Sequence, residues 1–217
     1  MFIGHYGVGL AAKKPAKSIS LGTLFLSAQW LDLVWPILVL LNIEQVVISP
    51  GDTKLTPLEF THYPFSHSLI FVLGWSVVLG VIYYLIKKNK KNALIVGLLV
   101  LSHWVLDLIV HKPDLPLIPG GPYLGFGLWN YPVIAVIFEL LIFIGGIILY
   151  VNTTTPKDKI GIFGFWSLII LLAVIYIINI AGPPPPGVES IGWAGLLLWV
   201  FVLWAYWADK HRTVKSE

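Results

Sequence analysis

The sequence predicts an all-α protein, a polytopic membrane helix bundle of six transmembrane spans with a short N-terminal half-span helix, and three observations carry that expectation. Of its 217 residues 57% are hydrophobic and 12% charged, against about 25% charged in an ordinary soluble domain. The apolar residues gather into runs near the roughly 20 residues a helix needs to cross a bilayer. The basic residues collect beside alternate ends of those runs, as the positive-inside rule requires.

Residues 1–12 come first, apolar but short. As a helix they rise about 18 Å, a little over half the hydrocarbon thickness. Their lysines follow the apolar run where those of a signal peptide precede it, so a half-span or re-entrant helix is expected. The spans are then 20–41, 65–86, 93–110, 131–151, 160–180 and 191–208. Ser49, Pro50, Gly51 and Asp52 mark a turn in the first long loop, and four prolines at 183–186 stiffen the last link. No break is long enough for a second domain, so 1–217 reads as a single integral membrane domain.

With the start of the chain on the cytoplasmic side, that side collects Lys13, Lys14, Lys17, Lys87, Lys88, Lys90, Lys91, Lys157, Lys159, Lys210, Arg212 and Lys215. The outer side keeps Lys54 and Lys112. Both termini are therefore expected in the cytoplasm of a bacterial or archaeal cell, with the bundle in its cytoplasmic membrane. One Arg among 14 basic residues gives no nucleic-acid footprint, and membrane lipid is the expected partner; protein partners are not legible. The absence of cysteine removes disulfides, thiolate zinc sites and thiol nucleophiles, so any metal must be held by His, Asp and Glu.

Ionisable residues inside spans are costly and face the bundle interior, which makes them functional candidates. Here they are Asp32, His103, Asp107 and Glu139, with His67 just inside the second span and His5 in the half-span. At a helical rise of about 1.5 Å per residue, Asp32 and His103 lie about 18 and 17 Å above the cytoplasmic end, Asp107 near 23 Å and His5 near 12 Å. Glu139 falls at a similar level, and His67 is expected one or two turns above, open to the outer face. His103 and Asp107, four residues apart, point the same way from one helix. Taken singly, such residues also serve as hydrogen-bonded core groups or interhelical glue; together they form a hard imidazole and carboxylate set suited to a divalent metal, zinc first, with Mn, Fe or Mg as alternatives. His62, His111 and Asp114 read as outer-loop residues, and the tryptophans near span ends, Trp30, Trp35 and Trp129 among them, as interface and packing residues.

Four short blocks resemble the family of LexA-binding, inner-membrane-associated metal-dependent hydrolases. Gly4-His5 is similar to its early Gly-His, and Trp30-Leu31-Asp32-Leu33 with Pro36 to its Pro-Asp-x-Asp-His-Pro. His62-Tyr63-Pro64-Phe65-Ser66-His67-Ser68-Leu69 resembles its His-Arg-Gly-x-Thr-His-Ser-Leu, and Ser102-His103 through Asp107 its Ser-His-x-x-x-Asp. The resemblance covers roughly the first 120 residues. It implies His5, Asp32, His67, His103 and Asp107 as metal ligands with His62 nearby, and a metal-dependent hydrolase. The depth of the layer adds the expectation of a lipid-borne ester or phosphoester substrate, reached from the leaflet, with Glu139 or His62 as general base. Val34 and Trp35 replace an Asp and a His of the pattern, and Tyr63-Pro64 replace its Arg-Gly. Two other classes remain open: a transporter or proton pathway along the buried acids and histidines, and an accessory membrane subunit with a degenerate metal site.

Overall fold

The computed structural model describes residues 1–215 and is built mainly of helices. In chain order they are α1 (Ile3–Ala11), α2 (Leu21–Ala28), α3 (Trp30–Leu40), the hairpin β1 (Gln45–Ile48) and β2 (Leu58–His62), α4 (Pro64–His67), α5 (Leu69–Lys87) and α6 (Lys90–Val110). A second small hairpin, β3 (Leu115–Pro116) and β4 (Tyr123–Leu124), and a 3-10 turn at Leu128–Asn130 lead into α7 (Pro132–Thr153). Then follow β5 (Thr154–Pro156), α8 (Lys159–Ala181), α9 (Val188–Leu196), α10 (Leu198–Lys210) and β6 (Arg212–Val214).

Among the described residues five elements are long and apolar enough to cross a membrane: α5, α6, α7, α8 and the stretch Val188–Lys210 that joins α9 to α10. The expected first span, 20–41, makes a sixth only when α2 and α3 are taken together, because they meet at a bend of 56°. Gln29 leaves helical dihedrals at the bend, with φ −103° and ψ 4°, and the Ala28 carbonyl beside it is claimed by the His103 ring. A helix break inside a bilayer persists only where other groups satisfy the freed backbone, and here a side chain of α6 does so. The second expected span is also interrupted, at Ser68, so that α4 stands apart from α5.

The half-span helix is present as α1, and it lies inside the bundle against α2, α6 and α7. Two glycines permit this. A Cβ on Gly146 of α7 would stand 2.1 Å from the Gly7 carbonyl oxygen, and one on Gly7 would stand 2.6 Å from that of Ile142. Small residues are what let helix backbones approach within lipid, where no hydrophobic drive separates protein from solvent. Around α1 the buried side chains form two principal cores. One joins α2, α3, α5 and α6, and the other joins α1, α7, α8 and α10.

The basic end of the bundle is tied by polar contacts. Asp209 at the end of α10 accepts from Lys13 Nζ at 3.0 Å, from the Leu21 N–H at 3.0 Å and from the Tyr150 hydroxyl at 2.6 Å. β6 pairs antiparallel with β5, and the Arg212 guanidinium donates to the Gly161 carbonyl at 2.7 Å while lying over the rings of Tyr150 and Phe165. Asn92 donates to Ser18 Oγ at 2.7 Å, joining the start of α6 to the loop ahead of α2. These contacts gather the lysine-bearing chain segments at one end.

At the other end the hairpins and α4 cap the bundle. Lys112 pairs there with Asp52 and lies 3.8 Å from Glu59. Burial works against its charge, but the hydrogen bond and charge of Asp52 outweigh this and raise its pKa above the ordinary lysine value. His111, expected in a solvated loop, is instead buried between Phe60, Tyr63 and Trp129 and bonded through Nδ1 to Asp114 at 2.9 Å. Trp35 and Trp129 are likewise buried, Trp35 against Phe60, and do not lie at the bundle's surface. Replacing Gly146 by Ala should force α1 away from α7 and lower stability by about 1–3 kcal/mol, the usual penalty for overpacking. Thermal unfolding in detergent, followed by size-exclusion chromatography, measures it.

Candidate metal centre

Each candidate ligand is brought to the site by a different piece of local structure. His103 and Asp107 lie one turn apart on α6, both turned inward. Asp32 sits in the first turn of α3, just past the bend, and His5 is buried on α1. Pro64 opens α4, where its fixed φ suits a first helical turn, and His67 closes it. That short helix carries His67 into the bundle, so it joins the other ligands and does not stand a turn or two above them.

The donor atoms form one compact group. His103 Nε2 lies 3.1 Å from Asp107 Oδ2 and 3.6 Å from Asp32 Oδ1. His67 Nε2 lies 3.6 Å from Asp32 Oδ1 and 3.8 Å from Asp107 Oδ2. His5 Nε2 is 3.1 Å from the other oxygen of Asp107, and its ring stacks on that of His103 with centroids 3.5 Å apart. Two overlapping triads result, His5–His103–Asp107 and Asp32–His67–His103, each with its ligand atoms within 4.8 Å of one another.

These spacings fit a divalent ion. Four donors placed tetrahedrally about 2.0–2.2 Å from zinc lie about 3.3–3.6 Å from each other, close to the 3.1–3.8 Å separations seen among Asp32, His67, His103 and Asp107. Moreover, His103 Nε2 is buried and among the described residues has no hydrogen-bond partner of acceptable geometry, although it faces two carboxylates. An unpaired buried nitrogen costs several kcal/mol in an apolar interior by order of magnitude, and a cation at the focus of these donors removes that cost. Asp107 also has its two oxygens turned to different partners, Oδ1 to His5 and to the Met1 ammonium at 2.8 Å, Oδ2 to His67 and His103.

The rings are oriented from behind. His103 Nδ1 donates to the Ala28 carbonyl at 2.8 Å, which leaves Nε2 as the lone-pair nitrogen. The Ser66 hydroxyl donates to Glu44 Oε2 at 2.6 Å, so it must accept from His67 Nδ1 at 2.7 Å, with the same result for that ring. Glu44 itself is held by the backbone N–H groups of Phe65 and Ser66 at 2.7 and 2.8 Å. The side chain of Asp32 keeps 23% of its surface exposed, whereas those of His103, Asp107 and His67 keep 0, 2 and 5%. The site therefore opens beside Asp32.

Two expected participants stand elsewhere. His62 ends β2 opposite Gln45, exposed, and among the described residues it makes no hydrogen bond or ion pair with the cluster, because the hairpin turns its side chain outward. Glu139 is buried near the site, but its Oε2 accepts from the N–H groups of Phe2 and Gly4 at 2.9 and 3.3 Å. It satisfies the orphan donors that begin α1 and so fixes the helix that carries His5. Glu44, Ser66 and the Ala28 carbonyl escaped the sequence reading. For Glu44 the one signal was an acid three residues beyond an apolar run; for a backbone carbonyl there was none.

The fold and site together define a class: an integral membrane helix bundle whose buried His and Asp groups can hold a metal. Within that class the chain belongs to the YdjM inner membrane protein family, whose family model matches residues 2–182. No curated protein and no solved structure matches it. The match runs from α1 through α8 and so takes in every residue of the cluster. Glu44→Gln should weaken metal binding about 10–100-fold, the usual effect of losing an outer-shell partner, without loss of the folded bundle; competition with a chromogenic chelator measures it.

Proposed function

We propose that the protein binds a divalent metal, zinc by its ligand chemistry with Mn, Fe or Mg as alternatives, and hydrolyses an ester or phosphoester bond of a membrane lipid. The observation that carries this reading is the buried convergence of His5, Asp32, His67, His103 and Asp107, with the unpaired His103 Nε2 at its focus. When bound, such an ion supplies a Lewis acid and lowers the pKa of a coordinated water toward neutrality.

The chain's own residues do the rest. His67, His103, Asp32 and Asp107 would hold the ion, and the Glu44–Ser66 and Ala28 contacts keep the two rings in the tautomer that ligation needs. Glu139 positions His5 through α1. Asp32 would meet the ion through the oxygen that faces His67 and His103, while its other oxygen would take the proton of the attacking water and return it to the leaving oxygen of the substrate, a role better placed there than on the exposed His62 or the committed Glu139. A lipid substrate suits a site inside an apolar bundle, since it arrives from the surrounding leaflet. The lysine-rich end is taken to face the cytoplasm, by the positive-inside rule.

Protein purified without chelator should carry stoichiometric metal by elemental analysis, lose lipid-ester or phosphoester hydrolysis on stripping, and regain it on reloading. His103→Ala and Asp107→Asn should lose both metal and hydrolysis. Metal-free protein from a chelator-free preparation would overturn the reading, and proton flux in liposomes without hydrolysis would replace it with a relay.

A further inference from the structure

A second site lies on the basic half of the bundle, away from the metal centre. α5 packs chiefly against α6 and α4, and most of its surface is exposed. Between it and the wall made by α2 and α10 runs a cleft of about 330 Å³, within the range of ligand pockets. Its inner part is apolar, formed by Leu26, Leu79 and Val96. Its outer part, at the basic end, is polar. Ser20 Oγ and the Tyr206 hydroxyl each bond Thr23 Oγ1, at 2.9 and 2.8 Å, forming one continuous hydroxyl wall. Gly22 makes that wall possible, because any Cβ there would stand 2.2 Å from the Tyr206 ring.

Lys87 stands at the mouth, exposed, and makes no hydrogen bond or ion pair with any other described residue. Asp209, at the same basic end, is already paired with Lys13 and bonded by Tyr150. From Lys87 to Leu79 the helix descends about 12 Å toward the middle of the bundle. An unpaired cation, then hydroxyls, then an apolar slot is the order of groups in an anionic glycerophospholipid: phosphate, glycerol and ester oxygens, acyl chain. We propose that this cleft binds one anionic phospholipid of the leaflet on the lysine-rich side, its phosphate at Lys87 and one acyl chain between α5 and α2. Basic pockets between transmembrane helices take such head groups. The larger groove on the other flank of α5, about 410 Å³ between α5 and α6, is lined by Val77, Val81, Leu94 and Leu98 and carries Lys90. Its hydroxyls, Ser76 and Tyr84, form no linked wall, since Ser76 donates back to the Val72 carbonyl within α5, and this groove serves as the internal control.

The test reconstitutes the full chain in mixed phosphatidylcholine and phosphatidylglycerol vesicles, re-extracts it in detergent and quantifies the retained lipid by mass spectrometry. Phosphatidylglycerol should be enriched over the vesicle composition at about one molecule per chain. Lys87→Gln should reduce that enrichment about fivefold, the effect of one lysine near an anionic head group. Ile82→Trp, a change at a half-exposed position lining the cleft, should displace the lipid while the protein elutes unchanged. Lys90→Gln should leave retention as it is. Absence of enrichment, equal loss in Lys90→Gln, or enrichment that survives Ile82→Trp would each overturn the proposal. Metal content is measured on the same samples and should not change, which separates this site from the metal centre.

Discussion

The Asp107 carboxylate is the contact on which the rest of the architecture depends. It lies almost fully buried in the middle of an apolar bundle, where an uncompensated carboxylate is prohibitively costly. Its oxygens are met by His5, the Met1 ammonium, His67 and His103. Those partners come from the chain start, α1, α4 and α6, and Asp32 of α3 completes the group through His67 and His103. Removing any one partner leaves charge or lone pairs exposed to hydrocarbon-like surroundings, a penalty of several kcal/mol by order of magnitude. The helices converge because the polar groups have no other means of compensation.

Several irregularities follow from that convergence. α1 must lie inside the bundle to deliver His5, and it can do so only because Gly7 and Gly146 let two backbones touch. Glu139 then absorbs the unpaired N–H groups that a buried helix start presents. The bend between α2 and α3 turns Asp32 toward α6 and leaves the Ala28 carbonyl to orient His103. The break at Ser68 releases α4, so that His67 swings inward under the control of Glu44 and Ser66. Each departure from a straight span is thus matched to a polar contact at the centre, as the lack of water in a bilayer demands.

The two ends of the bundle serve different purposes. The basic end is closed by Asp209, Lys13 and Arg212, and it holds the cleft beside Lys87. The opposite end is built of hairpins that pack the aromatic group around His111 above the cluster. The cap lies over a buried polar site whose exposed edge is the side chain of Asp32.

Hydropathy alone was sufficient for the number and position of the apolar runs, and the lysine spacing for their alternation, because both are properties of each segment taken by itself. The pairing of His103 with Asp107 was equally legible, since a spacing of four residues fixes one face of one helix. That Asp32 and His5 share a layer with this pair followed from helical rise, and the resemblance added His67; which donor atom faces which did not follow, because no local pattern states which helices are neighbours. The same limit hid Glu44 behind His67 and the true employment of Glu139. It also misplaced His111, which the hairpin buries, and it hid that His62, read correctly as an outer residue, faces away from the cluster. Local composition determined what had to be buried in this protein; only the three-dimensional packing decided which buried group would answer which, because hydrogen bonds and ligand geometry act across helices whose adjacency the linear order does not encode.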